Sequence, residues 1–312
     1  MTARVLVTGG AGYVGSILCE HLLDAGYNVT AVDNLTYGQN SLFHLCAHPD
    51  FDFVYGDVRD EALMRTLVSH ADVIIPLAAI VGAPACDLDP QLARSVNLES
   101  VRLLNRLRSP QQLVIFPNTN SGYGARGDDL YCTEEAPLEP VSLYGQTKVQ
   151  AEAELLESAN TMTLRLATVF GMSPRLRLDL LVNHFVYAAV TDGYIVIFEK
   201  DFKRNYVHVR DVADCFLHCI ENRASMVGRA YNLGLDSANL SKEELALKVK
   251  EYVPNLYIHF SEIGTDPDKR NYIVSSQRLR EAGFEARRSL DEGIKELLKG
   301  FRMRGRAPFR NA

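Results

Sequence analysis

The feature that most limits how this chain can fold is a set of spaced glycines, Gly9, Gly12 and Gly15, in Thr8-Gly-Gly-Ala-Gly-Tyr-Val-Gly15. A short β-branched run, Arg4-Val-Leu-Val-Thr8, precedes it. A helix pattern from Val14 to Ala25 follows, closed by Gly26. Strand, glycine turn and helix open a βαβ unit that can hold a dinucleotide. One glycine makes the tight turn, another lets the backbone approach a pyrophosphate, and the third lets the helix pack on the strand. The pyrophosphate then meets the free N–H groups and positive end of the helix. Asp33 ends the next strand, Asn28–Asp33. A carboxylate there accepts from adenosine ribose hydroxyls and repels a 2′-phosphate. The pattern predicts NAD rather than NADP, held by Gly9, Gly12, Tyr13, Val14, Gly15, Asp33 and Asn34.

The same rhythm continues along the chain. Strands are expected at residues 51–55, 73–77, 113–116 and 161–166, and helices at 61–69, 90–107 and 143–158. Alternation of this kind makes right-handed crossovers. The expected fold is α/β: a Rossmann-like doubly wound parallel sheet with a smaller, mostly helical C-terminal substrate lobe. The NAD-binding domain is placed at 1–172 with 203–234, where a strand from Tyr206 and a helix from Asp211 look like a return to the sheet. The substrate lobe is placed at 173–202 with 235–312. In such a sheet ligands lie at strand C-termini. This adds Asp57 and Val58, after the third strand, and Leu77, Ala78 and Ala79, after the fourth, to the cofactor residues.

With 312 residues there is enough chain for one large or two unequal domains. The net charge of −6 argues against nonspecific nucleic-acid binding, while local arginines can still hold an anionic small molecule. No apolar run reaches the roughly 18 residues of a membrane span. Met1–Arg4 runs straight into a strand pattern, so a cytoplasmic protein without a secretion signal is expected. The six cysteines are scattered and complete no zinc-ligand set, so no metal is expected and they read as reduced, mostly buried thiols.

Tyr144-Gly-Gln-Thr-Lys148 puts a phenol and an ammonium four residues apart on one helix face. A phenol titrates near ~10 and is a poor base at neutral pH. A neighbouring cation and a positive nicotinamide ring favour phenolate. Tyr144 can then take a hydroxyl proton while the attached carbon gives up hydride.

With these residues the chain resembles the extended short-chain dehydrogenase/reductase family, especially its nucleotide-sugar epimerases and dehydratases. The likeness covers nearly the whole chain: the glycine turn, Asp57-Val58, Ala78-Ala79, Thr119 to Gly124, Tyr144 with Lys148, Arg165 to Gly171, and Arg204 to Asp211. It implies that Thr119 bonds the reacting sugar hydroxyl beside Tyr144. It also implies a firmly held NAD lying along Ala167 and Val169, and a homodimer through the helices at 90–107 and 143–158. Thr168 stands where relatives often have Asn and is expected near nicotinamide and sugar. The loop at Val81 is expected to face the sugar, with Cys86 read as packing. The family's 4,6-dehydratases carry an acid in the two positions after this Thr. Here they are Asn120 and Ser121, which can orient a hydroxyl or ketone but not expel water.

The family likeness also suggests who holds the substrate. Arg204 and Arg270 match arginines near the nucleotide diphosphate, Asn183 matches a residue that contacts it, and Arg175 is within reach of sugar or phosphate. More finely, 118–124 and 175–183 resemble members that oxidise C4 of GDP-heptose for bacterial surface polysaccharide. NAD-dependent oxidation at C4 is therefore expected, giving a 4-keto sugar. The alternatives are a 4-epimerase that recycles its NAD and a noncatalytic NAD sensor on the same fold. A ketoreductase using external NADPH is disfavoured by Asp33.

Overall fold

The computed structural model describes residues 3–38, 40–125, 131–262 and 271–303. The first strand, β1 (Arg4–Thr8), leads through the glycine turn into helix α1 (Tyr13–Asp24), then β2 (Asn28–Asp33) and β3 (Phe51–Tyr55). Helix α2 (Glu61–Ser69) is started by Asp60, whose side chain accepts from the Leu63 N–H at 3.1 Å. It is followed by β4 (Val73–Pro76), a long helix α3 (90–107) and β5 (Leu113–Thr119). Helix α4 (Leu143–Leu156) and β6 (Thr161–Leu166) complete the regular alternation. Every residue of β5 is buried, as expected of a central parallel strand covered on both faces.

The main sheet has seven parallel strands. From the outer edge it runs through the strand Ala230–Leu233, then β6, β5, β4, β1, β2 and β3. Alternate side chains of β1 face opposite layers. Val5 and Val7 join a core with Ile17, Leu22 and Phe216, whereas Leu6 joins one with Val68, Leu104 and Leu155. The order reverses between β1 and β4, so the crevice beyond their C-terminal ends lies at the sheet's switch point.

Beyond β6 the chain forms β7 (Thr168–Phe170), α5 (Leu181–Thr191), β8 (Tyr194–Phe198) and β9 (Lys203–His208). Two findings differ from the expected course. Strand β9 does not rejoin the main sheet: it pairs with β7 in parallel and with Asn239–Ser241 in antiparallel fashion, as a separate three-stranded sheet. The seventh main-sheet strand is instead Ala230–Leu233, reached through helix α6 (Val209–Glu221). The second finding is that α3 contains a π segment, Ser95–Glu99, between its α-helical turns.

The remaining elements form a second lobe, with helix α7 (Lys242–Tyr252) and helix α8 (Leu290–Arg302) packed on α5. Both open with a full capping box, Ser241 with Glu244 and Ser289 with Glu292. The lobe has its own core, including Val182, Phe185, Leu245, Ile294 and Leu297.

Candidate active site

The glycine turn fits a dinucleotide on steric grounds. Gly9 has φ +69°, and a Cβ there would lie 2.6 Å from the Ala78 nitrogen. A Cβ on Gly15 would lie 2.7 Å from the Gly10 carbonyl oxygen and closer still to that of Gly9. A side chain at Gly9 would collide with the backbone that follows β4, and one at Gly15 would push α1 off the turn that follows β1. Helix α1 has no side-chain cap and no acidic residue in its first turn, so its opening N–H groups point toward the crevice. Val14 is beside them in that turn.

Asp33 ends β2 with both carboxylate oxygens anchored. Oδ2 accepts from the Ala11 N–H at 3.0 Å and Oδ1 from the Leu35 N–H at 2.8 Å. Burial raises its carboxyl above the usual range, against those N–H groups and the charge of Arg175. Asn34 closes a local turn by accepting from the Thr36 N–H and hydroxyl. Asp57 pairs with Arg59 at 2.7 Å, and Val58 is buried. Leu77 and Ala78 donate backbone N–H groups to Thr8, and Ala79 continues the same half-exposed stretch at the end of β4. Ala167 is buried, its N–H bonded to the Leu233 carbonyl, and Val169 lies in β7.

Ser142 starts α4 by accepting from the Gly145 N–H at 3.1 Å, which places Tyr144 in the first turn and Lys148 one turn deeper. Tyr144 is half-buried; Lys148 is only 3% exposed, its Nζ 3.8 Å from the centroid of the Phe116 ring on β5. Burial pulls the ammonium down to about 7, and only the charge of Glu152 is set against it. Thr119, the last residue of β5, caps a tight 3-10 turn, Asn120–Tyr123. Its Oγ1 accepts from the Ser121 N–H at 3.1 Å and donates to Ser121 Oγ at 2.9 Å. That turn lies against α4: the Ser121 carbonyl oxygen sits 3.4 Å from where a Gly145 Cβ would be.

Two supporting groups escaped sequence reasoning. Glu152, one turn beyond Lys148, is buried and accepts from Asn118 Nδ2 (2.7 Å), Thr163 Oγ1 (2.7 Å) and both Nε and Nη2 of Arg165. Arg165 also donates to the Tyr123 hydroxyl, which in turn donates to Asn232. The i,i+4 spacing from Lys148 was the available signal. The other group is Asn97, inside the π segment. It accepts from the Ile80 N–H at 2.8 Å and donates to the Ile80 carbonyl at 2.9 Å, fixing the loop that follows β4. No local pattern announces a π segment, although such segments gather at functional sites.

The expected substrate residues are placed unevenly. Val81 and Thr168 are half-exposed, and Ser121 lies beside Thr119. Asn120 is fully buried, with neither amide atom bonded among the described residues. Asn183 departs from expectation. It is fully buried, accepts from the Gly171 N–H and donates to Tyr13 Oη and the Arg177 carbonyl, so its amide braces the backbone. Arg204 is buried on β9 and donates to the Lys203 carbonyl. Arg175 lies over Tyr37 and close enough to Asp33 to act on its charge. Arg270 lies outside the described residues. Cys86 is buried and donates to the Ile80 carbonyl, in keeping with packing. Among the described residues no cluster of His, Cys, Asp and Glu could hold a metal, and no helix is long and apolar enough to cross a membrane.

Comparison with known proteins matches residues 5–234 to the family model described as the NAD dependent epimerase/dehydratase family. A low-salt glycan biosynthesis protein of Haloferax volcanii is 30% identical over 303 residues, covering 93% of this chain and 96% of that protein. UDP-glucose 4-epimerase of Mycolicibacterium smegmatis is 30% identical over 317 residues, covering 96% and 98%. Among solved structures, UDP-glucose 4-epimerase of Thermotoga maritima with UDP-glucose superimposes with a TM-score of 0.85 at 26% identity. That superposition covers 96% of this chain and 98% of the other.

Proposed function

Because this chain belongs to the NAD-dependent epimerase/dehydratase family, we propose that it oxidises C4 of a nucleotide-linked sugar to a ketone, with GDP-heptose or a related GDP-sugar as substrate and surface-polysaccharide synthesis as its setting. Bound NAD supplies a hydride acceptor for C4. The protein's own part is proton transfer and positioning. Tyr144 takes the C4 hydroxyl proton, Lys148 favours its phenolate, and Thr119 orients the same hydroxyl from the end of β5.

The observation that carries this reading is the turn after Thr119. Asn120 and Ser121 stand there, one sealed in the interior and the other bonded to Thr119, so no acid adjoins Thr119 in that turn to expel a neighbouring hydroxyl. The site then serves redox chemistry at C4 without elimination. The choice of a GDP-sugar rests on the residues at 118–124 and 175–183. A 4-epimerase, which reduces the ketone on its other face, is the second reading. It is favoured by 30% identity to a UDP-glucose 4-epimerase across nearly the whole of both chains.

Incubation with a panel of GDP- and UDP-sugars tests both. Accumulating reduced nicotinamide and a 4-keto sugar supports the dehydrogenase, and C4 epimers without net reduction support the epimerase. Neither product with any sugar refutes both. We further propose a homodimer through α3 and α4, which light scattering at defined concentration checks.

A further inference from the structure

The stretch 172–180, between β7 and α5, carries Arg175 and Arg177 two residues apart in an irregular run of bends. It is fastened to the cofactor helix. Tyr13 Oη donates to the Gly171 carbonyl at 2.7 Å, and Ser173 Oγ donates to the Tyr13 carbonyl at 2.7 Å. Ser173 also bonds Ser16 at 3.0 Å. Arg177 is matched by Asp179. Arg175 has no such carboxylate partner among the described residues.

The Arg175 guanidinium lies 4.0 Å over the ring of Tyr37, in the loop that leaves Asp33. Its Nε is buried with no acceptor among the described residues. Arg175 and Asp33 feel each other's charge with no hydrogen bond between them among the described residues, and each oxygen of Asp33, having accepted one backbone N–H, keeps a lone pair for a ribose hydroxyl. Burial and the like charge of Arg177 press against the Arg175 cation. A directed donor without an acceptor, on a cation short of its counter-charge, is a costly arrangement unless a ligand completes it. The ribose and neighbouring phosphate of an adenosine held at Asp33 carry the oxygens that do so.

We propose that Arg175 is a binding residue for the adenosine half of NAD, reaching from the second lobe to the ribose held by Asp33 while stacked on Tyr37. NAD is then clasped by both lobes, and Arg175 governs how firmly the cofactor is held, not which sugar is chosen. The arginine expected at the sugar belongs to the cofactor.

Calorimetric titration of nucleotide-free protein with NAD, ADP-ribose, GDP and UDP tests this. Arg175→Ala is expected to weaken NAD and ADP-ribose alike, by about tenfold, with GDP and UDP unchanged. Arg175→Lys is expected to recover only part of the loss, because an ammonium lacks the planar stack and the Nε donor. Unchanged ADP-ribose affinity in Arg175→Ala, or a loss confined to GDP or UDP, overturns the proposal. Should Arg175→Ala fail to fold, Tyr37→Ala at the exposed ring gives the same reading. Severalfold weaker ADP-ribose supports the clasp and full affinity overturns it.

Discussion

Replacing Lys148 with methionine should make the protein more stable and inactive at once. The ammonium is 3% exposed, and burial takes it from an ordinary 10.5 to about 7. In the unfolded chain it titrates at the ordinary value. Between about 7 and 10.5 the unfolded chain therefore holds a proton that the folded chain has released, and stability rises with pH through that window. Below about 7 the folded protein bears the whole cost of the buried charge. At about 1.4 kcal/mol per pH unit the full cost is about 5 kcal/mol, falling to about 4 at pH 7 and about 2 at pH 9. Methionine fills a similar volume without a charge. The loss of the contact over Phe116, about 1 kcal/mol, is the same at both pH values and cancels in the difference. The expected result is a gain over wild type that shrinks by about 2 kcal/mol from pH 7 to pH 9. Urea denaturation of NAD-free protein at the two pH values reads it directly. A gain that does not change with pH would refute the reasoning, because Lys148 would then titrate alike in both states. Turnover should fall at least about a hundredfold in the same variant.

Tyr144→Phe should abolish turnover while leaving NAD affinity within a factor of about two, as measured by calorimetry beside product formation; a noncatalytic NAD sensor would lose nothing. Glu152→Gln leaves Arg165 as a buried cation without its carboxylate, and the protein should lose about 3–5 kcal/mol of unfolding free energy, read from denaturant midpoints at constant slope. Asp33→Ser should admit NADP unusually well for a single substitution, because Arg175, over Tyr37 and near Asp33, would meet the 2′-phosphate with a cation if it binds as proposed. Comparing NAD and NADP affinities checks it, and continued exclusion of NADP would count against the position of Arg175.

What could be read from the sequence was what short stretches of chain determine. The glycine turn, Asp33 and the Tyr144–Lys148 pair each depend on spacing within a few residues or on the order of one strand and the next, and the structure sets them after β1, at the end of β2 and in the opening turns of α4. The destination of β9 could not be read, because a strand's choice of partner is non-local. Its run Tyr206-Val-His-Val209 would suit either sheet. Ala230–Leu233 was hidden for a different reason. Its buried Asn232 breaks the apolar run, and it is tolerated there by bonds to Tyr123, Ser275 and Glu134 from three separate segments.

The case of Arg175 shows how a motif can point beyond itself. Tyr13 sits between the spaced glycines and is expected from the sequence only to hold the cofactor. In the fold its hydroxyl holds Gly171 and accepts from Asn183, and its carbonyl accepts from Ser173. These three bonds set the path of 172–180, and that path carries Arg175 over Tyr37. Asn183, matched by likeness to a ligand contact, is drawn into the same brace. A residue of the glycine turn thus also fixes where the second lobe begins. Substituting Tyr13 would disturb the lobe and the cofactor together, and its effect on either alone cannot be read as a direct contact.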